Sequence, residues 1–432
     1  MPGSSSIVEL GDYVQSTARS IHDLLSSSNI PQPSLALGAP EQPSVYPGAI
    51  EECRSNLLEA LDELRALILG PRSYLFNTSI IAPSCLATFH SLYKFEIAQH
   101  VPLDRKISYT ELGERCGLLE ADARRIVRSA VALRVFEEDP VGFVRHNASS
   151  AILNTTLGHD AVGFATDEYG RAATRYSESI ERFPGSSNPG ECPCAIANGT
   201  IGDKDAFTLI ADDQPRASRL ANAMSFMTTV PETSMDHLLD NVPWTSARGP
   251  NQLCPSIVVD VGGSRGTLME ALLRKYPGIS QGVVQDLPDV TLRNAAEQKP
   301  EDLADRLAFQ EYNFFAEQVV KDADVYIFRT VFHDWPDSYA VKILRNQIPA
   351  LKPGAVILIN DICIQPGTEK SKLTSLGKCA YDLMVKMGLN AKERTEDEWN
   401  LLLTTADERF KIQSITTPPR AVHSIIEVVW QG

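Results

Sequence analysis

IVVDVGGSRG, at residues 257–266, carries the clearest fold signal in this chain. Its first five residues form an apolar run around one acid, which is typical of a strand buried on both faces of a parallel sheet. The glycines that follow favour a tight turn, and TLMEALLRKYP then shows the apolar spacing of a helix. The stretch therefore predicts a strand, a glycine-rich turn and a helix in direct succession.

The same alternation continues to the end of the chain. Further strands are predicted at 282–288, 307–313, 323–332 and 355–364. SYAVKILRNQIPAL and KLTSLGKCAYDLMVKMGL read as helices, and FKIQSITTP with SIIEVVWQ reads as an antiparallel pair of strands. We expect an α/β fold with a Rossmann-like doubly wound sheet, closed by an antiparallel hairpin that a dehydrogenase domain lacks.

The region before this sheet is predicted to be mostly helical. Helices are expected at 7–28, 49–70 and near 79–98, and five prolines indicate an extended strap over 31–48. Residues 184–204 are rich in Gly, Pro and Ser and read as a loop, and 205–240 reads as a helical connection. The predicted organisation is an N-terminal segment over 1–78, a second domain over 79–184 and a catalytic domain over 205–432.

Residues 107–150 have the pattern of a winged helix, because two helical stretches precede a short hairpin. Many winged helices bind DNA, but residues 103–149 hold eight basic and eight acidic side chains. A phosphate-binding face needs an excess of positive charge. A structural, dimerising role is therefore the preferred interpretation, with DNA binding as the alternative.

The composition and net charge of the chain argue against some classes of binding partner. The 432 residues are 43% hydrophobic and 22% charged, and 40 basic against 55 acidic side chains give a net charge of −15. This charge argues against nucleic acid and anionic membranes as partners, and no apolar run is long enough to span a membrane. The first fifteen residues show no secretory signal, so we expect the cytoplasm, where the eight scattered cysteines would be free thiols.

The first candidate site is the turn after the first strand. Asp260, Gly262 and Gly263 belong to a D-x-G-x-S-x-G pattern, which differs from the dinucleotide fingerprint G-x-G-x-x-G. Small residues let a ligand approach the backbone and the helix N-terminus. An acid at the head of the turn suits a cationic, amino-acid-like ligand, whereas the alternative is a purely structural glycine turn.

The second candidate is Asp286, 24 residues after Gly262 at the end of the second predicted strand. A carboxylate at this place in doubly wound folds hydrogen-bonds ribose hydroxyls. Capping of the next helix is the alternative role.

The third candidate is His333 in FHDWPD, just past the fourth predicted strand, at the edge of the sheet where ligands bind. A histidine there can take a proton near neutral pH. Asp361, after the fifth strand, and Glu393 are acids that could orient it and raise its basicity, although each could equally be a helix cap or a surface charge.

DVGGSRG, QDLP, FHDWPD, LKPG and the stretch 382–399 occur in this order and carry a resemblance. They are similar to the S-adenosylmethionine-dependent O-methyltransferases of the plant caffeate and flavonoid type (class II), above all to the fungal branch that modifies secondary metabolites. The resemblance covers residues 205–432 with specific motifs, and the winged helix extends it to about residue 80. It implies a homodimer, since that family dimerises through such a domain.

The resemblance also implies roles for individual residues in holding S-adenosylmethionine. Gly262 and Gly263 would approach its methionine part, and Asp286 would bind the ribose. Asn313 stands where the family usually has an acid near the adenine, with Phe314 beside it. Arg329 stands where many relatives have a lysine that contacts this cofactor.

For catalysis, His333 falls on the family's general base and Glu393 on one supporting glutamate. Asp361 replaces the other and is one methylene shorter. Met384 and Met227 would line the acceptor pocket, with a place in the core as an equally good alternative for both.

The predicted function is transfer of a methyl group to a hydroxyl of a phenolic or polyketide-like metabolite, with no metal. Two alternatives stay open from the sequence. One is a relative that binds the same cofactor but catalyses another step, such as a pericyclic reaction. The other is a regulatory protein built on the winged helix.

Overall fold

The computed structural model describes residues 6–40, 42–43, 45–244, 255–287, 290–367 and 371–432. The chain divides into two compact units. One comprises Met1–Thr174 with Ile210–Val230, and the other comprises Arg175–Leu209 with Pro231–Gly432. Among the described residues, no helix has both the length and the apolar character needed to cross a membrane.

The α-helices in chain order are α1 Ile7–Ser27, α2 Gly48–Lys94, α3 Ile97–His100, α4 Tyr109–Cys116, α5 Glu120–Ala132, α6 Ala148–Leu153, α7 Thr156–Gly163, α8 Gly170–Ala173, α9 Tyr176–Arg182, α10 Pro193–Asn198, α11 Ala206–Ala211, α12 Gln214–Met227, α13 Asp236–Asn241, α14 Thr267–Lys275, α15 Val290–Glu297, α16 Asp337–Gln347, α17 Lys372–Leu389 and α18 Glu396–Ala406. A π-helix, Phe164–Tyr169, joins α7 to α8, and short 3₁₀ turns include Pro231–Thr233 and Phe332–Asp334.

The β-strands in chain order are β1 Ile107–Ser108, β2 Phe136–Glu138, β3 Phe143–His146, β4 Ile257–Val261, β5 Gln281–Asp286, β6 Leu307–Glu311, β7 Val325–Arg329, β8 Val356–Asn360, β9 Cys363–Ile364, β10 Arg394–Thr395, β11 Phe410–Thr416 and β12 Ile425–Trp430.

In the first unit, α2 differs from the sequence prediction. Two separate helices were expected, over 49–70 and near 79–98, and the span Gly48–Lys94 is indeed broken at Gly70, but the second helix begins directly after that break and not near residue 79. Gly70 has a φ of 68° and a ψ of 165°, and Pro71 follows. Glycine adopts this backbone conformation without strain, and proline fits the first turn of a helix, so the helix restarts without a loop.

The winged helix predicted at 107–150 is present in this unit. Helices α4 and α5 precede strands β2 and β3, and β3 pairs with both β1 and β2 in a small antiparallel sheet. Leu112, Val127 and Val144 are completely buried in the core between them. The apolar spacing of the two helices therefore builds one compact module.

The second unit holds the predicted doubly wound sheet. Its strand order is β11-β12-β8-β7-β4-β5-β6. The five strands from β4 to β8 are parallel. At one end of the sheet, β12 pairs antiparallel with β8, and β11 pairs antiparallel with β12. Apolar clusters cover both faces of this sheet, which is why its strands read as continuous apolar runs.

The structure also departs from the sequence prediction inside the second unit. The predicted loop 184–204 contains the short helix α10, which begins after Cys192. The expected strand 355–364 ends at Asn360, and after Asp361 the chain forms the short strand β9, which pairs with β10. Pro288, at the end of the predicted strand 282–288, lies outside the described residues.

Candidate active site

The glycine turn after β4 is hydrogen-bonded to the end of β5. The backbone N–H groups of Gly262 and Gly263 both donate to the carbonyl oxygen of Gln285, at 2.7 and 3.1 Å. A Cβ atom on Gly263 would stand 2.6 Å from Oδ2 of Asp260. Glycine is required here because the Asp260 carboxylate occupies the space that a side chain would need.

Asp260 is 2% exposed, and no other described residue donates a hydrogen bond to its carboxylate. Burial raises its pKa to about 7, an effect that the positive charge of Arg329 opposes and the negative charge of Asp286 reinforces. A buried carboxylate without a donor favours a ligand that brings a cationic N–H group.

Asp286 ends β5 beside this turn. Its Oδ2 accepts a hydrogen bond from the backbone N–H of Ser264 at 2.8 Å, and its Oδ1 accepts from that of Leu287 at 2.7 Å. Each carboxylate oxygen has more than one lone pair, so it can accept more than one hydrogen bond. Asp286 therefore stabilises the glycine turn and lies at the carboxyl edge of the sheet.

Asn313 and Phe314 follow β6 at the same edge. Asn313 is exposed, and its Oδ1 accepts from the backbone N–H of Phe315 at 2.9 Å, which closes a local turn. Phe314 packs against the rings of Phe315 and Trp335, with centroids 5.0 and 6.0 Å away. These rings form an aromatic wall next to the end of β6.

Arg329 ends β7 and is held by two neighbours. Its Nε donates to Oδ1 of Asn360 at 3.1 Å, and its Nη2 donates to the carbonyl oxygen of Thr233 at 2.6 Å. Burial lowers the pKa of Arg329, and the negative charges of Asp260 and Asp361 oppose that shift. The guanidinium therefore places a fixed positive charge between the glycine turn and the end of β8.

His333 is buried in the 3₁₀ turn that follows β7. Its Nδ1 lies 2.8 Å from Oε1 of Glu393, and because a carboxylate only accepts, Nδ1 carries the proton. The backbone N–H of His333 donates to Oδ2 of Asp361 at 3.2 Å. Its Nε2 lies 3.6 Å from Oδ1 of Asp334. The structure thus brings together the histidine and both acids that the sequence analysis proposed.

This cluster is strongly coupled electrostatically. Burial alone would lower the pKa of His333, but the charges of Glu393, Asp334 and Asp361 outweigh it and raise that pKa to about 10. Burial raises the pKa of Asp334 to about 7 and that of Asp361 to about 6. A positive charge bound nearby would lower the pKa of His333 again and favour the neutral imidazole.

Two carboxylate oxygens of the cluster are buried without a hydrogen-bond partner among the described residues. They are Oδ1 of Asp361 and Oε2 of Glu393. Buried polar atoms are normally hydrogen-bonded, so such atoms point to a ligand or water at the site.

Arg394 and Asp382 are site-supporting residues that the sequence analysis missed. The fully buried guanidinium of Arg394 donates to the carbonyl oxygens of Phe332 and Trp335, at 2.8 and 2.7 Å, and so holds the turn that carries His333. Asp382 accepts from the backbone N–H of Glu393 at 2.8 Å. The position of Arg394, directly after a proposed site acid, was a signal that could have identified it.

The two methionines proposed for the acceptor pocket lie in different units. Met384 is half-buried on α17, the helix that also carries Asp382, whereas Met227 is the last residue of α12 in the first unit. The structure therefore places Met384 in the same unit as His333.

Within the described ranges, no three His, Cys, Asp or Glu side chains are grouped as metal ligands. The seven cysteines among these residues are free thiols, and Cys254 lies outside them.

The family model and the similar proteins with known names agree on one family. Residues 200–408 match the model of the O-methyltransferase domain. O-methyltransferase kk1A of Curvularia clavata is 33% identical over 432 residues, which covers 100% of this chain and 99% of that protein. The grayanic acid biosynthesis cluster O-methyltransferase of Cladonia grayi is 34% identical over 431 residues, with 99% of this chain and 88% of that protein covered.

Solved structures share the fold over nearly the whole chain. The crystal structure of OxaC has a TM-score of 0.77 at 20% identity and covers 98% of each chain. A structure described as a pericyclic reaction enzyme has a TM-score of 0.76 at 20% identity, and covers 97% of this chain and 100% of that one. At this identity the two likenesses show the architecture alone.

Proposed function

The chain belongs to the O-methyltransferase family, and on that premise we propose that it transfers a methyl group from S-adenosylmethionine to a hydroxyl of a phenolic or polyketide-like secondary metabolite. The observation that carries the proposal is the hydrogen bond of 2.8 Å between Nδ1 of His333 and Glu393 at the carboxyl edge of the sheet. This pairing leaves Nε2 as the atom that can accept a proton from an acceptor hydroxyl.

The residues around the glycine turn fit S-adenosylmethionine. Asp260 offers a buried carboxylate to an ammonium group, and the turn at Gly263 leaves the backbone open to close approach. Asp286 offers oxygens to ribose hydroxyls, and Phe314 an aromatic face to the adenine. When bound, S-adenosylmethionine supplies a methyl group on a positively charged sulfur, which is electrophilic without further activation.

The proposed chemistry assigns one task to each residue of the His333 cluster. His333 Nε2 takes the proton as the acceptor oxygen attacks, and Glu393 stabilises the resulting imidazolium. Asp361 and Arg394 position the turn by bonding its backbone. General base catalysis of this kind contributes a factor of about 10² to 10⁴ in rate.

The non-methylating alternative has less support. The two relatives described above, 33% and 34% identical over nearly the whole chain, have O-methyltransferase names. His333 also retains the pairing that a base for a hydroxyl proton needs. Both observations favour methyl transfer over a pericyclic step.

A homodimer is also part of the proposal. Helix α2 carries a row of large apolar side chains that are more than 40% exposed in a single chain: Leu58, Leu61, Leu67, Ile68, Leu75, Phe76, Ile80 and Ile81. An exposed apolar patch of this size supports association with a second copy. The cytoplasm and the roles of individual site residues likewise stay predictions.

The test is release of S-adenosylhomocysteine from S-adenosylmethionine with a panel of phenols. We expect His333→Ala to lower kcat by at least about 10²-fold while the affinity for S-adenosylmethionine stays within about twofold. His22→Ala, at an exposed position on α1, is the matched control. Equal turnover per folded molecule in the His333 variant would remove the general-base assignment.

A further inference from the structure

His423 stands at the same edge of the sheet as the candidate active site. It precedes β12, which runs antiparallel to β8 with Ile426 opposite Ile359. The next residue, Ser424, donates its backbone N–H to the carbonyl oxygen of Asp361 at 2.8 Å. His423 therefore lies close to where β8 ends and where Asp361 supports His333.

The side chain of His423 is 5% exposed, and its Nε2 is completely enclosed without a hydrogen-bond partner among the described residues. Two other buried histidines, His146 and His237, have hydrogen-bond partners within the chain. His146 bonds Ser150 and Val101, and the Nε2 of His237 lies 2.7 Å from the carbonyl oxygen of Pro231. Buried polar atoms are normally hydrogen-bonded, but the described residues supply no partner for the Nε2 of His423.

The surroundings of His423 favour its neutral imidazole. Burial lowers its pKa well below the usual value, and the positive charges of Arg329, His333 and His237 lower it further. A neutral imidazole offers one N–H donor and one acceptor. Such a group suits a carbonyl or hydroxyl oxygen of a ligand rather than a cation.

Tyr381 is the aromatic neighbour of His423, with ring centroids 6.3 Å apart. It lies on α17, where the next residue, Asp382, accepts from the backbone of Glu393 and Met384 follows three residues after Tyr381. Burial, reinforced by the negative charges of Glu232 and Glu393, raises the pKa of Tyr381 to about 12, so its hydroxyl keeps its proton.

The strand order separates His423 from two of the proposed cofactor residues, Gly262 and Asp286, whereas Arg329 at the end of β7 lies near enough for its charge to act on His423. Gly262 and Asp286 follow β4 and β5, which lie on one side of β7, whereas His423 precedes β12, on the far side of β8. His333 and Asp361 follow the two strands in between. The enclosed nitrogen thus belongs to the acceptor side of His333.

We propose that His423, with Tyr381 beside it, hydrogen-bonds a second oxygen of the acceptor. The acceptor class is then phenols or enols that carry a carbonyl or hydroxyl group next to the hydroxyl that is methylated. This inference rests on the proposed function. In that function His333 takes the proton from the hydroxyl that is methylated, and here His423 binds the neighbouring oxygen of the same acceptor. His423 acts as a specificity-determining residue that binds the acceptor without taking its proton.

The test compares two phenols that differ in one oxygen, 2′,4′-dihydroxyacetophenone and 4-ethylresorcinol. Their dissociation constants are measured by calorimetry on the full-length protein saturated with S-adenosylhomocysteine. We expect the native protein to prefer the ketone by about tenfold or more, because a site built for an oxygen leaves a polar group unpaired when that oxygen is missing. In His423→Phe the preference should fall below about threefold, mainly through weaker binding of the ketone.

Two further variants act as controls. His423→Gln retains an amide donor and should restore part of the preference, and His22→Phe should leave it unchanged. Unchanged S-adenosylhomocysteine affinity reports that each variant is folded. No preference in the native protein, or a preference that survives in His423→Phe, would overturn the inference.

Turnover of the same phenols separates this inference from the proposed function. A His423-dependent preference without any release of S-adenosylhomocysteine would support the acceptor site and contradict methyl transfer. Release that depends on His333, combined with equal binding of the two phenols, would support methyl transfer and contradict the role of His423.

Discussion

At the residue scale, the decisive feature is a histidine whose basicity is set by its neighbours. Glu393 contacts His333 directly, and Asp334 and Asp361 add negative charge, so the pKa of His333 rises to about 10 despite burial. A higher pKa makes a stronger base but leaves less of it deprotonated at neutral pH. A bound S-adenosylmethionine would add a positive charge nearby, which would lower the pKa of His333 and favour its neutral form.

Removal of the Glu393 charge should therefore move the pH profile. Because the carboxylate raises the pKa of His333, Glu393→Gln should lower that pKa, and kcat/KM should begin to rise at a lower pH than in the native protein. The plateau should be lower, since the imidazolium loses its stabilising partner. The measurement is kcat/KM from pH 6 to 10, with Glu396→Gln on α18 as the control. An unshifted limb would show that another group controls the rate.

Asp286 permits a second test at this scale. Asp286→Ala should weaken S-adenosylmethionine binding by about 1.5–3 kcal/mol, the range for hydrogen bonds to a charged group. Calorimetry on the folded variant measures the loss. Asp302→Ala, which removes an exposed partner of Arg274, is the matched control and should leave affinity unchanged. If Asp286→Ala binds as tightly as the native protein, the carboxylate does not hold the ribose.

At the element scale, the sheet fixes the position of the turn between β4 and α14, which forms the proposed cofactor site. Two N–H groups of the turn share one carbonyl oxygen of β5, and the Asp260 carboxylate lies beneath Gly263. The turn can hold this position only while residue 263 has no side chain.

Gly263→Ala should therefore reduce both stability and cofactor affinity. The added Cβ would stand 2.6 Å from Asp260 Oδ2 and 2.9 Å from Val284, and relief of such overpacking typically costs about 1–3 kcal/mol. Gly278→Ala is the control, because a Cβ there meets nothing within 4 Å. Thermal unfolding with and without S-adenosylmethionine measures both effects. Equal melting temperatures for the two variants would refute the close packing at Gly263.

At the scale of the whole molecule, the row of exposed apolar residues along α2 makes the first unit the expected dimer surface. Leu75→Asp combined with Phe76→Asp should convert a dimer into a monomer at micromolar concentration, because a charge is costly to bury in an apolar interface. Light scattering gives the mass. Leu401→Asp, at a position 67% exposed on α18, should leave the mass unchanged. A native protein that is already monomeric would contradict the homodimer.

Much of the second unit could be predicted from the sequence, because its signals are local. Strand and helix periodicity, the glycine turn after β4 and the place of His333 just beyond β7 depend on residues that are near neighbours in the chain. The family motifs added the expected partners of His333. The break of α2 at Gly70 was predicted, but the restart of the helix directly after it and the short helix α10 were not, because glycine and proline mark a break without showing where a helix restarts.

By itself, the sequence determined the alternation of strands and helices, and hence the edge of the sheet at which we expect a ligand to bind. The tertiary structure decided which groups meet there. Glu393 lies 60 residues from His333 in the sequence, yet the two side chains are 2.8 Å apart. Arg394 hydrogen-bonds the turn that carries His333. The enclosed Nε2 of His423 has no hydrogen-bond partner among the described residues. Turn and helix propensities act over a few residues, whereas burial and charge pairing depend on which strands become neighbours in the sheet.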